Sequence, residues 1–355
     1  MLGFLSEITE LLKFSNILII YCLFYVLSSS IIYLWRNDSN FSLKNNVYIA
    51  TQKVHVGNIP RLGGVVTYIC LWGFIIVETD LVLLQTSLIC ILPMMFITFK
   101  EDLFYNVSYQ IRLFGLTLSS FCLIFFTVTN FPEINFLPMI SNVFDYKIFN
   151  IIFFTICIVV LANGSNFIDG MNGLCSFFFL GAMFSCIFLS YIQGDTENGK
   201  LMFVYALTLI PFITLNFPFG KMFLGDAGAF LYAMLIGIWV VNFFGMHSTI
   251  SSWNAILIFF YPTTEVLYSF IRKIYQKKSP FYPDRKHLHL LIYDYFNKTF
   301  NAKKSNNLTT MSLIIFWLTP TLLIPLVYQN QILIIASYFF LFIIYMSIAK
   351  RLQKL

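Results

Sequence analysis

The feature that most restricts what this chain can become is the recurrence of apolar runs, each long enough to cross about 30 Å of hydrocarbon as a helix. Eleven occur, at roughly 14–35, 63–77, 82–99, 113–129, 148–162, 175–192, 201–217, 227–245, 253–271, 310–328 and 332–349, with short polar breaks between them. A bilayer supplies no water to satisfy backbone N–H and C=O groups, and helices satisfy their own. The expected fold class is therefore an all-α integral membrane protein with about eleven transmembrane helices, forming a single polytopic unit over residues 1–355. Composition agrees, with 59% hydrophobic and 11% charged residues, where a soluble domain carries about 25% charged. The first run is too long for the apolar core of a secretory signal, and no small-residue cleavage site follows it before Arg36.

Orientation follows from Lys and Arg, which gather in short cytoplasmic loops. An outside amino terminus places 19 of the 22 basic residues on the cytoplasmic side, leaving Lys13, Lys147 and Lys200 outside. The carboxyl terminus is then cytoplasmic, and the net charge of +6 is explained by topology without a nucleic-acid partner. The cysteines (Cys22, Cys70, Cys90, Cys122, Cys157, Cys175, Cys186) stand singly in or beside apolar runs, as packing residues rather than a disulfide or metal framework.

On this topology five unusual loops share the cytoplasmic face: KVHVGNIPRLGG, KEDLFYNVSYQIR, LANGSNFIDGMNGL, FPFGKMFLGDAG and SPFYPDRKHLHL. The third is a polar island between two apolar runs, with Asn166, Asp169 and Asn172 recurring every three residues. A helical turn would point all three toward one ligand. Together the loops bring the adjacent acids Glu101 and Asp102, the single acids Asp169 and Asp226, and His287 and His289 behind Arg285 and Lys286. This is the chemistry of hard cations and phosphates. Magnesium binds through one or two carboxylates and shares its other positions with water and substrate phosphates, whereas zinc would want Cys or several His. Two histidines one residue apart face the same way on an extended segment and diverge within a helix. Behind two cations they make a candidate clamp for phosphate oxygens.

These motifs resemble those of the polyprenyl-phosphate N-acetylhexosamine-1-phosphate transferases, the membrane family that includes the GlcNAc-1-phosphate transferases and the phospho-MurNAc-pentapeptide translocases. The likeness runs from about Lys53 to Leu291. It comprises Lys53, His55, Pro60, Arg61, Gly63 and Gly64, the paired acids, the Asn-x-x-Asp-Gly-x-x-Gly loop, the Phe-x-Gly-Asp loop and the Pro-Asp-x-x-His-x-His loop. The resemblance implies a single transferase domain that moves a sugar 1-phosphate from a UDP-sugar to undecaprenyl phosphate and releases UMP. It implies magnesium, with manganese able to substitute, on Asp226 and Asp169, and catalytic work by Glu101, Asp102 and Asp169. Substrate contacts are implied for Lys53, His55 and Arg61. Phe223 matches the aromatic on which uracil stacks, and Asn166 and Asn216 match the nucleotide pocket. His287 and His289 match the histidine motif at the donor phosphates or sugar, assisted by Arg285. Glu265 matches a family acid that positions loops. Expected partners are a UDP-N-acetylhexosamine, undecaprenyl phosphate, the lipid bilayer of the bacterial inner membrane and, as a candidate homodimer, a second copy of the chain.

Two positions depart from the family pattern. Glu101 stands where Asp is usual, and a longer carboxylate still accepts a proton. Asn172 stands where a second loop Asp is usual; it cannot be an anionic ligand or base, which leaves hydrogen bonding to uracil. A branch of the family shares both features, so they read as variation. Either acid of the pair could take a proton from the lipid phosphate, or one could attack first and form a covalent intermediate. Direct attack is preferred because the lipid phosphate is already anionic. GlcNAc is the default sugar, since the translocase branch carries a denser histidine motif. The competing class is a transporter or flippase, which predicts ionisable residues near the bilayer midplane or repeated halves; the sequence displays neither.

Overall fold

The computed structural model describes residues 3–4, 12–37, 59–78, 81–134, 144–277 and 285–354, and every regular element among them is helical. In chain order these are α1 (Phe14–Asn37), α2 (Gly63–Val77), α3 (Val82–Phe104), α4 (Tyr109–Thr127), α5 (Lys147–Ile168), α6 (Leu174–Gln193), α7 (Thr196–Asn216), α8 (Gly225–Met246) and α9 (Asn254–Ile258). They continue with α10 (Phe260–Tyr275), α11 (Leu288–Asn297), α12 (Ala302–Ser312), α13 (Ile314–Trp317), α14 (Thr319–Val327) and α15 (Gln331–Leu352).

Each apolar run of the sequence falls on helix, but eleven straight crossings do not result. Among the described residues eight helices are long and apolar enough to span, namely α1, α3 to α8 and α15. The segment Ala302–Ser312 followed by Ile314–Val327, bent by 42°, raises the number to nine if counted as one span. Helix α2 has 15 residues, a rise of only about 22 Å. The run at 253–271 breaks at Phe259 into α9 and α10. Pro262 accounts for the break. A continuous helix would need its N–H to reach the Ile258 carbonyl, whereas the first turn of a new helix has no use for that N–H.

The centre of the bundle is α8. Every residue from Gly225 to Phe244 is buried, and α8 packs against α2, α3, α4, α5, α6 and α7. A helix apolar on all sides has no face to offer to solvent, so it belongs inside. Its closest neighbour is set by two glycines: a Cβ on Gly64 would overlap the backbone of Gly228, so α2 and α8 meet backbone to backbone, as small residues allow in membranes. Outward side chains such as Phe114, Phe126, Ile148, Ile332 and Phe340 are exposed and apolar, a surface suited to lipid. The contacts described next place the starts of α2, α4 and α8 and the ends of α3 and α5 at one end of the bundle.

Candidate active site

The first turn of α8 has backbone N–H groups without intrahelical partners. Asp102, at the end of α3 and 0% exposed, answers two of them. Its Oδ1 accepts the Asp226 N–H at 3.1 Å and its Oδ2 the Ala227 N–H at 3.0 Å. So close an approach requires glycine at 225, where φ is +75° and a Cβ would lie 2.6 Å from Asp102 Oδ2.

Asp226 is held by two guanidiniums. Arg61 Nη2 donates to its Oδ1 at 2.7 Å and Arg112 Nη1 to its Oδ2 at 2.6 Å. Arg61 also lies 3.4 Å from Asp102 Oδ1, and Arg112 lies 3.9 Å from Glu101 Oε1. Glu101 points elsewhere with its second oxygen, which accepts the Val107 N–H at 2.9 Å and closes the turn between α3 and α4. Arg61 is placed by backbone pairing: Phe223 N–H to Pro60 O at 2.9 Å, Gly63 N–H to Phe223 O at 3.0 Å and Gly64 N–H to Leu224 O at 2.8 Å. The Pro-Arg-x-Gly-Gly and Phe-x-Gly-Asp motifs are thus two sides of one strip, with Phe223 in it. Burial opposes the charge of Arg61, but Asp102 and Asp226 outweigh burial and raise its pKa above the usual value. In the sequence Arg112 stands only as one of the basic residues of the second cytoplasmic loop. Its position in the first turn of α4, after a short turn that folds back beside the paired acids, was the signal available.

Asp169 caps the carboxyl end of α5. Burial holds its carboxyl well above the usual range; Arg61 draws it back, and Asp226 and Asp102 push it up again. Asp102, Asp169 and Asp226 therefore share one neighbourhood around Arg61. Asn166 lies in the last turn of α5, its carbonyl accepting the Asp169 N–H at 3.3 Å. Asn216 ties two loops together, accepting the Gly173 N–H on Oδ1 at 2.5 Å and donating from Nδ2 to Met222 O at 2.8 Å.

The expectation that Asn172 would point with Asn166 and Asp169 does not hold, because the helix ends at Ile168 and Gly173 takes φ +79°. Asn172 turns toward α12 instead. Its N–H donates to Asn306 Oδ1 at 2.8 Å, its Nδ2 to Asn307 Oδ1 at 3.2 Å, and its carbonyl accepts the Thr310 hydroxyl at 2.7 Å.

The histidine motif, expected as a clamp for phosphate oxygens, is buried against a carboxylate. His287 caps α11 in extended conformation while His289 sits in the first turn. The change of backbone between them cancels the divergence a helix would impose, and the rings lie 5.8 Å apart at 20°. Both turn to Glu265 of α10. His287 Nδ1 is 2.9 Å from Oε2, the Leu288 N–H donates to Oε1 at 3.2 Å, and His289 Nδ1 is 3.7 Å from Oε1. At most 3% of any of these three side chains is exposed. A buried carboxylate therefore orients the pair. The His287 ring packs 5.1 Å from Phe167, and a Cβ on Gly170 would lie 3.1 Å from His289 Nε2, so the motif rests on the loop that carries Asp169. Burial lowers the pKa of His289 against the pull of Glu265. Arg285 pairs at the surface with Asp294 at 2.8 Å. Lys53 and His55 lie outside the described residues.

Comparison with known proteins now bears on this geometry. The family model for glycosyl transferase family 4 matches residues 84–244. The undecaprenyl-phosphate alpha-N-acetylglucosaminyl 1-phosphate transferase of Thermotoga maritima is 28% identical over 239 residues, covering 67% of this chain and 69% of that protein. The proteins of the same name from Escherichia coli K12 and Yersinia pestis are each 28% identical over 260 residues, covering 68% of this chain and 67% of theirs.

Proposed function

We propose, from the match of residues 84–244 to the glycosyl transferase family 4 model and the likeness to undecaprenyl-phosphate sugar 1-phosphate transferases, that the chain transfers an N-acetylhexosamine 1-phosphate, GlcNAc 1-phosphate by default, from a UDP-sugar to undecaprenyl phosphate. An oxygen of the lipid phosphate attacks the phosphorus that bears the sugar, the bond to the second phosphate breaks, and UMP leaves. The product starts a lipid-linked cell-envelope glycan such as an O-antigen. The observation that carries this reading is the junction of Asp102, Asp169, Asp226, Arg61 and Arg112 at the common end of five helices, in a chain only 11% charged. Buried charge is costly, and its placement at helix ends rather than mid-span favours surface chemistry over a translocation path. The Lys and Arg asymmetry of the loops supports placing that end on the cytoplasmic face, and the proposed acceptor supports the bacterial inner membrane.

The donor set suits magnesium. Carboxylate oxygens of Asp226 and Asp169 are hard ligands of the kind magnesium takes, one or two at a time, with water and substrate phosphates completing its shell. Bound there by Asp226 with Asp169, it would offset the charge of the donor diphosphate. Positive charge already sits at Asp226 in the form of two arginines, which lower the repulsion between two anionic substrates. Asp102 spends both oxygens on α8 and so positions Asp226. Asp169, beside Arg61 and Asp226, is an acid of the junction left to accept a residual proton from the lipid phosphate. Glu265 sets the orientation of His287 and His289 for the donor.

The test is incubation of purified protein with undecaprenyl phosphate, magnesium or manganese, and a panel of UDP-sugars, reading UMP and the lipid product. Metal-dependent UMP release with an N-acetylhexosamine donor is expected. Folded protein that releases no UMP from any donor overturns the assignment.

A further inference from the structure

Helix α12 reads AKKSNNLTTMS, yet Ser305, Asn306, Thr309 and Thr310 are buried. Their spacing places them on one helix face. A buried polar face must find hydrogen-bond partners; Ser305 and Thr309 donate to Phe300 O and Ser305 O within their own segment, while Asn306 and Thr310 find theirs on the loop that follows Asp169. Asn306, Asn307 and Thr310 hold Asn172 by its N–H, its side-chain amide and its carbonyl. The amide of Asn307 is fixed in its turn, because its Nδ2 donates to Pro218 O at 3.0 Å. Its Oδ1 therefore faces Asn172 and requires a donor there, which asparagine supplies and aspartate does not. Asn172 is 4% exposed, and its Oδ1 is sealed from solvent with no hydrogen-bond partner among the described residues. An aspartate would set a buried carboxylate oxygen against Asn307 Oδ1, acceptor against acceptor.

We propose that α12 is the positioning element of the Asp169–Gly173 loop, anchored through Asn172 to Asn306, Asn307 and Thr310, and that this anchor is why residue 172 is asparagine. The inference deepens the transferase reading, on which its kinetic test rests. Thr310→Val removes the hydroxyl at nearly constant shape, while Thr310→Ser keeps it. With the donor and lipid of the preceding assay, Thr310→Val should lower kcat about tenfold or more while donor KM stays within about threefold, since a displaced reacting group costs turnover rather than binding. Thr310→Ser should stay within about twofold of wild type. Asn172→Asp should fall at least as far as Thr310→Val, and Asn172→Asp combined with Asn307→Lys, which restores a donor, should recover most of the loss. Unchanged kcat in Thr310→Val, a pure KM effect, or a fully active Asn172→Asp overturns the proposal. Thermal midpoints in detergent test the anchor independently of activity. Asn172→Ala and Thr310→Val combined should shift the midpoint by less than the sum of the single shifts. Additive shifts reject the anchor, whereas absence of UMP release by wild type rejects the transferase reading and leaves the anchor to the midpoints.

Discussion

Replacing Asp102 by asparagine separates two roles that a family acid can play. In the structure its oxygens accept the Asp226 and Ala227 N–H groups at 3.1 and 3.0 Å, and Arg61 stands 3.4 Å away. Asparagine keeps one acceptor and turns the other into an NH2 group facing an N–H. One charge-assisted bond is lost, one N–H is left buried without a partner, and the attraction to Arg61 goes. Hydrogen bonds to charged groups contribute about 1.5–3 kcal/mol, and an unsatisfied buried donor costs about 1–3 kcal/mol. Part of this is regained by local relaxation, so a net loss of about 2–4 kcal/mol is expected. The thermal midpoint in detergent should fall by roughly 3–5 °C. The assay is thermal unfolding of wild type and Asp102→Asn, followed by turnover at a temperature where both are folded. An unmoved midpoint together with abolished turnover would refute the reasoning, because it would make Asp102 a reacting group and not the support of α8.

Asp226→Asn removes the charge that Arg61 and Arg112 meet at 2.7 and 2.6 Å; turnover at saturating donor and magnesium should fall by about 10²–10³ or more, and activity within tenfold of wild type would rule out its assigned role. Burial depresses the pKa of His289 below its ordinary value, so the unfolded chain takes up a proton near pH ~6.5 that the folded chain resists. Its contribution to stability is full above that pH and is lost as pH falls below it. The thermal midpoint should therefore drop between about pH 7.5 and 5.5, and His289→Asn should flatten the drop; an equal slope in the variant would count against this account.

The apolar runs were legible because the bilayer makes length and hydrophobicity sufficient evidence of helix. What they could not convey was where a run bends. Pro262 and the break at Phe259 depend on whether a proline falls in a first turn or mid-helix, a matter of one or two residues. The acids of the loops were also legible, since charge in so apolar a chain must be placed with purpose. Their partners were not. The pairing of Arg112 with Asp226, the two hydrogen bonds that Asp102 accepts from α8 and the approach of α12 to Asn172 join residues 114 to 138 positions apart, and no local pattern encodes such pairings. The histidines illustrate the limit from the other side, because a single change of backbone between His287 and His289 reversed the orientation that periodicity alone would give.

The shortness of α2 bears on how two substrates of opposite solubility meet. At about 22 Å it falls roughly 8 Å short of the hydrocarbon thickness, and Arg61 stands at its start, beside Asp226. A mismatch of this kind is met by local thinning of the bilayer or by water dipping toward the helix end. Where the shortfall falls at the start of α2, the guanidinium is recessed below the level of the surrounding head groups. On the transferase reading proposed above, a lipid phosphate would slide laterally into such a recess with its polyprenyl chain still immersed while a water-borne nucleotide descended from above, so neither substrate would have to leave its own phase.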